Sequence, residues 1–223
     1  MKIAIDGTAA SGKGTLAKRL AESLGCDYLD TGLLYRAVAL EASRYGLSSL
    51  DDNFNKPVTE ERFEKSTRIE LTTIALGLAL PISDSPDLRS QKISSLAAIV
   101  ASLPEIRQAL IGKQRDFANS PPSNKGAVLD GRDIGSVILP EADFKFFIDA
   151  KPEIRAKRRF AEFKDTNSNQ TQETILKDLM ERDKRDSTRQ IAPLKRLSDA
   201  FFIDSSSLNA DEVLQIALNY ING

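Results

Sequence analysis

The start of the chain places a strand pattern, a glycine-containing loop and an amphipathic helix pattern in direct succession. The stretch KIAIDGTAASGKGTLAKRL at 2–20 nearly fits the phosphate-loop pattern G-x-x-x-x-G-K-[ST]. Residues 2–5 are predicted to form a buried strand that ends at Asp6, and apolar residues from Leu16 to Leu24 recur at helical spacing. A glycine loop between a strand and a helix is a strong signal, so the sequence predicts a nucleotide triphosphate site.

The loop departs from the common pattern at one position. Gly14 follows Lys13 where many phosphate loops carry the hydroxyl that ligates Mg²⁺, and the hydroxyl arrives one place later as Thr15. Gly7 and Gly12 let the backbone wrap with its N–H groups inward. Lys13 can neutralise the β- and γ-phosphates, and Thr15 can still donate to a phosphate oxygen. We therefore expect triphosphate binding without direct ligation of the metal at position 14.

Four further short apolar runs are typical of parallel strands that are covered on both faces. Helical or loop patterns separate them, so the chain predicts an α/β fold with a five-stranded, doubly wound parallel sheet and helices on both faces. A helix is expected over 31–46, and a helical pattern over 87–119 is interrupted at Pro104. The four runs are CDYLD at 26–30, AVLD at 127–130, FKFFID at 144–149 and AFFID at 200–204.

Each predicted strand ends in or next to an aspartate. Ligands of open α/β sheets bind beyond the carboxyl ends of the strands, so these carboxylates are candidates for a Mg²⁺-nucleotide site. The alternative is that they cap the following helices or turns, and we favour capping for Asp149 and Asp204. The residues are Asp6, Asp30, Asp130, Asp149 and Asp204.

Composition excludes several kinds of chemistry. The chain has 223 residues and no histidine, which rules out His-ligated zinc sites, Ser-His-Asp triads and histidine general bases. Its net charge of -1 argues against bulk nucleic-acid binding. The most apolar stretch, 74–82, is too short to span a bilayer and predicts a buried helix or strand. A single cysteine, Cys26, and the lack of a secretory pattern after Met1 predict a cytoplasmic protein.

A switch GTPase is the first alternative for a phosphate loop, and the sequence does not support it. GTPases read guanine with N-K-x-D, but the Asn-Lys pairs at 55–56 and 124–125 have Val58 and Ala127 where the motif requires Asp. No glycine in the chain has an aspartate three places before it, so the D-x-x-G motif is also missing. The acceptor of the phosphate must be inferred from other residues.

Residues after the second predicted strand are candidates for an acceptor site. In LDTGLLYRA at 29–37, Thr31 can cap the following helix, and Tyr35 and Arg36 lie about one turn further on. The alternative is a partly buried tyrosine and a surface arginine, and the local sequence leaves both interpretations open.

A more specific arrangement follows the third predicted strand. In LDGRDIG at 129–135, Gly131 permits a sharp turn, and Arg132 and Asp133 then project near the carboxyl edge of the sheet. The guanidinium fork of Arg132 suits a phosphate. The alternative is a salt bridge between Arg132 and Asp133 that only holds the turn.

A third group of charges lies in RDKRDSTR at 182–189. Four residues there share one face of a predicted helix, namely Arg182, Arg185, Asp186 and Arg189. Three arginines on one stripe repel each other unless an anion joins them, although a solvated charged face is the alternative. The segment 153–160 adds Arg155, Arg158 and Arg159, which suit a mobile lid over phosphates. A triphosphate cradle with many separate arginines is what phosphoryl transfer between two anionic substrates requires.

Together these motifs resemble the nucleoside monophosphate kinases and, more closely, the bacterial cytidylate kinase family. The resemblance is carried by GTAASGKGT at 7–15, LDTGLLYRA at 29–37, VLDGRDIG at 128–135 and RDKRDSTRQIAPL at 182–194. It implies a P-loop kinase fold acting on ATP and CMP or dCMP with Mg²⁺, as a monomer that binds neither nucleic acid nor membrane. It also implies a core of about 1–46 and 120–223, a monophosphate-binding insertion of about 47–119 and a lid of about 155–172.

The resemblance implies a role for each matched residue. The ATP site would comprise Gly7, Thr8, Ala9, Ala10, Ser11, Gly12, Lys13, Gly14, Thr15 and Arg158. The CMP site would comprise Thr31, Tyr35, Arg36, Arg107, Arg132, Asp133, Arg185, Asp186 and Arg189, with Arg107 and Asp133 near the base and Asp186 at the sugar. The catalytic residues would be Lys13, Arg132, Arg182 and Arg189, and Asp130 would contact Mg²⁺ through water.

The sequence departs from the family pattern in two places. Ala98 stands where the family often carries a serine near the base, which puts one base contact in doubt. Residues 66–86 do not show the small hairpin of many relatives, so the insertion is expected to be simplified. An adenylate or uridylate kinase and a nucleotide-binding regulator without turnover remain as alternatives, although the long lid of larger adenylate kinases is missing.

Overall fold

The sheet that was predicted from the sequence is present in the computed structural model, which describes residues 1–44, 65–80, 82–163 and 171–223. Five parallel strands lie in the order β2-β3-β1-β4-β5, with helices on both faces. The predicted α/β sheet is therefore confirmed, and the strand ends differ only slightly from those expected. The strands are β1 (Lys2–Gly7), β2 (Asp27–Asp30), β3 (Ala127–Gly131), β4 (Phe144–Asp149) and β5 (Phe201–Asp204).

Strand β1 occupies the centre of the sheet between β3 and β4. Ile5 pairs with Asp130 on one side and with Phe146 on the other. Ligands of open α/β sheets bind at the carboxyl end of the strand where the order reverses, which here is the end of β1. The phosphate-loop motif begins at that point, because Gly7 is the last residue of β1.

The helices of the described segments follow the apolar pattern, with caps that explain several of their ends. Gly25 ends the first helix at φ 64°, and its N–H donates to the carbonyls of Ala21 and Glu22. The described helices are α1 (Lys13–Leu24), α2 (Thr31–Arg44), α3 (Lys65–Gly77), α4 (Pro86–Arg89), α5 (Gln91–Val100), α6 (Pro104–Asn119), α7 (Pro152–Phe163), α8 (Gln172–Thr188) and α9 (Ala210–Asn222), and Ile134–Ile138 form a π-helical turn. No helix within these segments is both long and apolar enough to cross a membrane.

The chain forms two compact units. The first unit comprises Met1–Leu29 and Ser120–Gly223, and its buried cluster joins α1 and α9 to the sheet through residues such as Leu20, Phe146 and Val213. The second unit, Asp30–Asn119, has its own apolar cluster, which includes Leu34, Leu71 and Ile106. This second unit includes α2, which the sequence interpretation assigned to the core. The predicted start of the insertion, about 47, lies outside the described residues, so the predicted domain boundaries stay predictions.

The helical pattern predicted over 87–119 corresponds to three helices in the second unit, α4, α5 and α6. Helix α6 begins at Pro104, as predicted, but the pattern before it divides at Ser90 into α4 and α5 because the Ser90 side chain accepts a hydrogen bond from the N–H of Ile93. The apolar stretch 74–82 begins inside α3, where Leu71 and Ala75 are buried. Residues 65–77 are therefore helical rather than part of a hairpin.

Candidate active site

The phosphate loop leaves β1 at a close approach between two strands. A Cβ atom added to Gly7 would lie 2.1 Å from the carbonyl oxygen of Ile148 in β4, so only glycine fits there. Further along, Ala10 (φ 58°) and Gly12 (φ 91°) adopt left-handed conformations, and α1 begins directly afterwards at Lys13. Such a loop at a helix N-terminus forms a concavity lined by N–H groups, which suits phosphate.

The lysine of the loop lies beside a buried carboxylate. Lys13 Nζ is 3.8 Å from Asp130 Oδ2, and the hydroxyl of Tyr28 donates to Asp130 Oδ1 at 2.9 Å. A Cβ atom at Gly14 would lie 3.6 Å from Asp130 Oδ2, which is ordinary contact. Gly14 therefore leaves the space beside Asp130 without a side chain, and Asp130 faces the loop at the end of β3 as its position in the sequence predicted.

Arg132 and Asp186 form the central ion pair of the first unit. Arg132 Nε donates to Asp186 Oδ2 at 2.8 Å, and Arg132 Nη1 donates to the carbonyl of Gly131 at 3.1 Å. Burial by itself would lower the pKa of Arg132, yet the carboxylates around it, led by Asp186, together raise that pKa. Burial would likewise raise the pKa of Asp186, but the neighbouring guanidinium groups, led by Arg132, lower it. Both side chains are therefore held in their charged forms.

Asp6, one of the strand-end carboxylates considered for the Mg²⁺-nucleotide site, supports this turn instead. Asp6, at 6% exposure, accepts hydrogen bonds from the N–H groups of Ile134 and Gly135, both at 2.8 Å. These amides directly follow Arg132 and Asp133, so Asp6 fixes the backbone that carries them. Burial raises the pKa of Asp6 to about 6, although the two N–H donors partly offset it.

The sequence predicted that Arg189 shares a helix face with Arg182 and Arg185, and this prediction is wrong. Helix α8 ends at Thr188, and Arg189 follows in an extended conformation. Its Nε donates to the carbonyl of Ala192 at 2.6 Å, and its Nη2 lies 3.5 Å from Asp133 Oδ1. The helix stops because Ala192, at φ 51°, turns the chain back so that the N–H of Leu194 bonds the carbonyl of Asp186.

The other two arginines predicted on this helix occupy different surroundings. Arg182 Nε lies 3.9 Å from the same Asp186 Oδ2 that binds Arg132, and its side chain is about one-third exposed (32%). Arg185 is exposed to solvent. The described structure thus brings Arg132, Arg182 and Arg189 to two aspartates, Asp133 and Asp186, and leaves Arg185 at the surface.

The second unit brings together part of the predicted acceptor site. The guanidinium carbon of Arg107 lies 5.7 Å from the centre of the Tyr35 ring, within cation–π range. Arg107 is buried at 2% exposure and donates from Nη1 to the carbonyl of Ala101 at 3.3 Å. Thr31 is also buried, and it is the first residue of α2. Half-buried Ala98 lies on α5, so the position of the family serine carries only a methyl group.

Arg36, a predicted acceptor-site residue on α2, lies beside an arginine that the sequence did not indicate, Arg89. Arg36 Nη1 donates to the carbonyl of Leu88 at 3.0 Å, which joins α2 to α4. Arg89, the residue after Leu88, binds both carboxylate oxygens of Asp84. One of its guanidinium nitrogens, Nη2, lies 3.3 Å from Asp30 Oδ2. The hydrogen bond from Arg89 lowers the pKa of Asp84. Asp30 thus forms an ion pair with Arg89. The sequence marked Asp30 as a strand end but gave no signal for its partner.

The segment interpreted as a lid is described only in part. Helix α7 covers its start, and residues 164–170 lie outside the described residues, so the lid stays a prediction. At that start Arg155 is buried at 3% exposure and forms an ion pair with Asp183 at 2.7 Å. Arg158 donates to the backbone and side chain of Ser205. Neither arginine projects into solvent as a lid arginine would.

Two of the strand-end aspartates serve the backbone, as the capping interpretation held. Asp204 accepts hydrogen bonds from the N–H and hydroxyl of Ser206. Asp149 accepts from the N–H of Ala150 at 2.8 Å, but it also accepts from the hydroxyl of Thr8 at 2.6 Å. Asp149 therefore anchors the phosphate loop as well as its own turn.

The residues present fit a Mg²⁺ ion that is held mainly by nucleotide phosphates. Among the described residues no cluster of three or more His, Cys, Asp or Glu side chains could enclose a metal. A magnesium ion bound to nucleotide keeps several waters and needs only one or two carboxylates. Asp130, buried at 4% exposure and facing the loop, fits that outer role.

The sheet order, the loop at the end of β1 and the arginine–aspartate pairs define a P-loop protein with a kinase-type fold. The family model described as "Cytidylate kinase" matches residues 3–223. The chain therefore belongs to the cytidylate kinase family.

Individual relatives agree with this assignment over nearly the whole chain. The cytidylate kinase of Paramagnetospirillum magneticum (strain ATCC 700264 / AMB-1) is 46% identical, covering 98% of this chain and 96% of the relative. The cytidylate kinase of Bradyrhizobium sp. (strain ORS 278) is 42% identical, covering 99% of this chain and 95% of the relative. The crystal structure of an uncharacterized protein from Eubacterium ventriosum ATCC 27560 has a TM-score of 0.54 at 15% identity, covering 100% of this chain and 99% of that one, and supports the fold alone.

Proposed function

We propose that this protein transfers the γ-phosphoryl group of ATP to CMP or dCMP, giving ADP and CDP or dCDP, with Mg²⁺. The observation that carries the proposal is the grouping of Arg132, Arg182 and Arg189 around two aspartates in the unit that also holds the phosphate loop. Phosphoryl transfer depends on positioning and on neutralising charge, and this grouping supplies both. Membership of the cytidylate kinase family supports CMP as the acceptor.

The reaction needs no general base from the protein. The nucleophile is a phosphate oxygen of the acceptor, and the second pKa of a phosphate monoester is about 6. At neutral pH that oxygen is mostly deprotonated, so the lack of histidine in this chain does not hinder the reaction. The protein's task is to align the acceptor oxygen with the γ-phosphorus and to balance the charge that they share.

The arginine–aspartate pairs hold guanidinium groups in place where two anionic substrates would bind. Arg132 has five N–H donors, of which Asp186 and the carbonyl of Gly131 use two. The remaining donors can bind a phosphate while Asp186 keeps the guanidinium charged and in place. We propose that Arg132, Arg182 and Arg189 neutralise the transferring phosphate, that Lys13 binds the β- and γ-phosphates, and that Asp186 accepts from the sugar hydroxyls.

The acceptor's base and phosphate would be bound by Arg107 together with residues of the motifs at 29–37, 128–135 and 182–194. We propose Arg107 and Asp133 near the cytosine, and Thr31, Tyr35, Arg36 and Arg185 around the monophosphate. The packing of Arg107 on Tyr35 supports this, because it holds a buried guanidinium in one orientation. When bound, Mg²⁺ would add charge neutralisation at the β- and γ-phosphates, with Asp130 oriented towards its water shell. We also propose that the protein acts as a cytoplasmic monomer on these small molecules.

A panel of acceptors tests the proposal. ADP release from ATP is measured with CMP, dCMP, UMP, AMP and GMP as acceptors, and GDP release is measured with GTP as donor. We expect turnover with CMP and dCMP to exceed that with AMP and GMP by at least about tenfold, since a pocket built to hydrogen-bond one base rejects others strongly. A preference for AMP would overturn the proposal, and binding of ATP without any acceptor-dependent turnover would indicate a regulator instead.

A further inference from the structure

Three carbonyl groups of the phosphate loop accept hydrogen bonds from side chains. The hydroxyl of Ser11 donates to the carbonyl of Thr8 at 3.0 Å, and Arg155 Nη1 donates to the carbonyl of Ala9 at 3.2 Å. The hydroxyl of Ser205, which directly follows β5, donates to the carbonyl of Ser11 at 2.8 Å. The loop is thus held by the carbonyl oxygens of residues 8, 9 and 11.

Holding a carbonyl also directs the next N–H group. In a trans peptide the C=O and the following N–H point in opposite directions because the unit is planar. The three anchored carbonyls therefore turn the N–H groups of Ala9, Ala10 and Gly12 away from Ser11, Arg155 and Ser205. Within the parts of the chain that the structure describes, no carbonyl or side chain accepts a hydrogen bond from these three N–H groups. They are the donors that a phosphate in the loop would use.

The hydroxyl of Ser205 has only one orientation that satisfies its neighbours. Arg158 Nη1 donates to Ser205 Oγ at 3.0 Å, and Arg158 Nη2 donates to the Ser205 carbonyl at 2.6 Å. A hydroxyl has a single proton, so an oxygen that accepts from Arg158 directs its proton to its other neighbour, the carbonyl of Ser11. Ser205 is buried at 2% exposure, so water does not compete for this arrangement.

The anchored segment contains a residue that needs such support. Ala10 has φ 58°, a left-handed conformation that costs an alanine about 1–2 kcal/mol. Arg155 fixes the peptide that precedes Ala10, and Ser205 fixes the peptide one residue further on, between Ser11 and Gly12. The strain is therefore maintained by contacts from outside the loop, as expected where backbone groups are arranged in advance for a ligand.

We propose that Ser205 and Arg158 are positioning residues for the triphosphate, acting through the carbonyl of Ser11 and not by contact with the nucleotide. Ser205 is not part of the recognised motifs, and for Arg158 this role replaces direct contact with ATP. The inference rests on the proposed function in one respect, that the loop binds a nucleoside triphosphate. It adds that the affinity of the loop for the triphosphate depends on Ser205, which directly follows β5.

A substitution at Ser205 and a matched one at its neighbour test the proposal. Ser205→Ala is expected to weaken ATP binding by about five- to tenfold in calorimetric titration, the loss of about one hydrogen bond. It should leave the KM for CMP within about twofold, and Ser205→Thr should restore ATP affinity. Ser206→Ala is the control, because the Ser206 hydroxyl binds Asp204 and the N–H of Lys151 and does not reach the loop.

Combining substitutions separates positioning from contact. If Arg158 acts through Ser205, Arg158→Met and Ser205→Ala should be non-additive, and the double variant should bind ATP about as well as the weaker single variant. Additive losses would mean that Arg158 contacts the nucleotide itself, and they would overturn the proposal. Equal ATP affinity of wild type and Ser205→Ala would also overturn it.

Amide hydrogen exchange of the ligand-free protein distinguishes this inference from the proposed function. We expect Ser205→Ala, but not Ser206→Ala, to speed exchange across residues 7–15, since a loop released from its anchor opens more often. A wild-type protein that fails to bind ATP would overturn the proposed function, and the exchange comparison would still decide whether Ser205 holds the loop.

Discussion

Arg132 illustrates how one side chain is prepared for an anion. Its guanidinium is bound to Asp186 on one edge and to its own turn on the other, so its plane is fixed before any substrate arrives. The preceding Gly131 ends β3, and Asp6 holds the amides that follow. A fork held in this way loses little freedom when it binds a phosphate, whereas a flexible lysine would lose much more.

Replacement of that fork by a point charge should impair turnover. We expect Arg132→Lys to lower kcat/KM for CMP by more than about tenfold, because lysine cannot bind Asp186 and a phosphate in two directions at once. Steady-state ADP release measures the effect, with folding checked by circular dichroism. Arg196→Lys is the control, since Arg196 is an exposed arginine stacked on Phe202. Equal activity of Arg132→Lys and wild type would remove the fork from the mechanism.

Asp6 should give the protein a pH-dependent stability. Its pKa is about 6 in the folded protein against an ordinary 3.8, so between these values the folded state binds more protons than the unfolded state. The free energy of unfolding that Asp6 contributes therefore falls as the pH rises through this window. From pH 4.5 to 7 we expect wild type to lose about 2 kcal/mol more than Asp6→Asn, as measured by urea unfolding. Parallel pH dependence of the two proteins would contradict the role of burial.

At the scale of elements, the paired strands β1 and β4 constrain the loop that leaves them. Gly7 pairs with Ile148, and the carbonyl of Ile148 occupies the space that a side chain at position 7 would need. The glycine that begins the motif is therefore required by the packing of the sheet as well as by the phosphate.

Two glycine substitutions should have opposite effects on stability. Gly7→Ala is expected to lower the free energy of unfolding by about 3 kcal/mol or more, because β1 and β4 would have to separate. Gly112→Ala, in the middle of α6 with no atom near its added Cβ, should raise it by up to about 1 kcal/mol through helix propensity. Thermal and urea unfolding measure both, and a neutral Gly7→Ala would show that the strands can adjust.

Most elements followed from local patterns, and the exceptions have physical reasons. The five strands were predicted because a buried parallel strand is apolar throughout. Only the end of α3 falls in the stretch 74–82 that was predicted to be a buried helix or strand. Its earlier part was not predicted, since the helix buries only Thr67, Leu71 and Ala75 and so shows little apolar pattern. The end of α8 before Arg189 was also missed, because the turn at Ala192 required a left-handed alanine that no propensity indicates.

On the scale of the whole molecule, each of the two units contains an apolar cluster of its own. One lies within 30–119, and the other joins the sheet to α1 and α9. Clusters that share no residue are expected to open as separate cooperative regions.

Matched core substitutions test this division. Ile106→Ala removes a fully buried side chain from the second unit, and Ile203→Ala does so, at 3% exposure, in the first. Each should cost about 2–4 kcal/mol. We expect Ile106→Ala to speed amide exchange mainly within 30–119, and Ile203→Ala mainly outside it. Faster exchange of the whole chain in both variants would indicate a single cooperative unit.

The sequence by itself determined the sheet, the phosphate loop and the family, because each depends on residues that are close together in the chain and have characteristic spacing. It also indicated Arg132, Asp133, Asp186 and Arg189 as a set. Only the tertiary structure decided their pairing, the role of Asp6 beneath the turn, and the contacts of Ser205 and Arg155 with the loop. These contacts join residues that are more than fifty positions apart, and hydrogen bonds of that kind arise from how strands and helices pack and leave no periodic signal in the sequence.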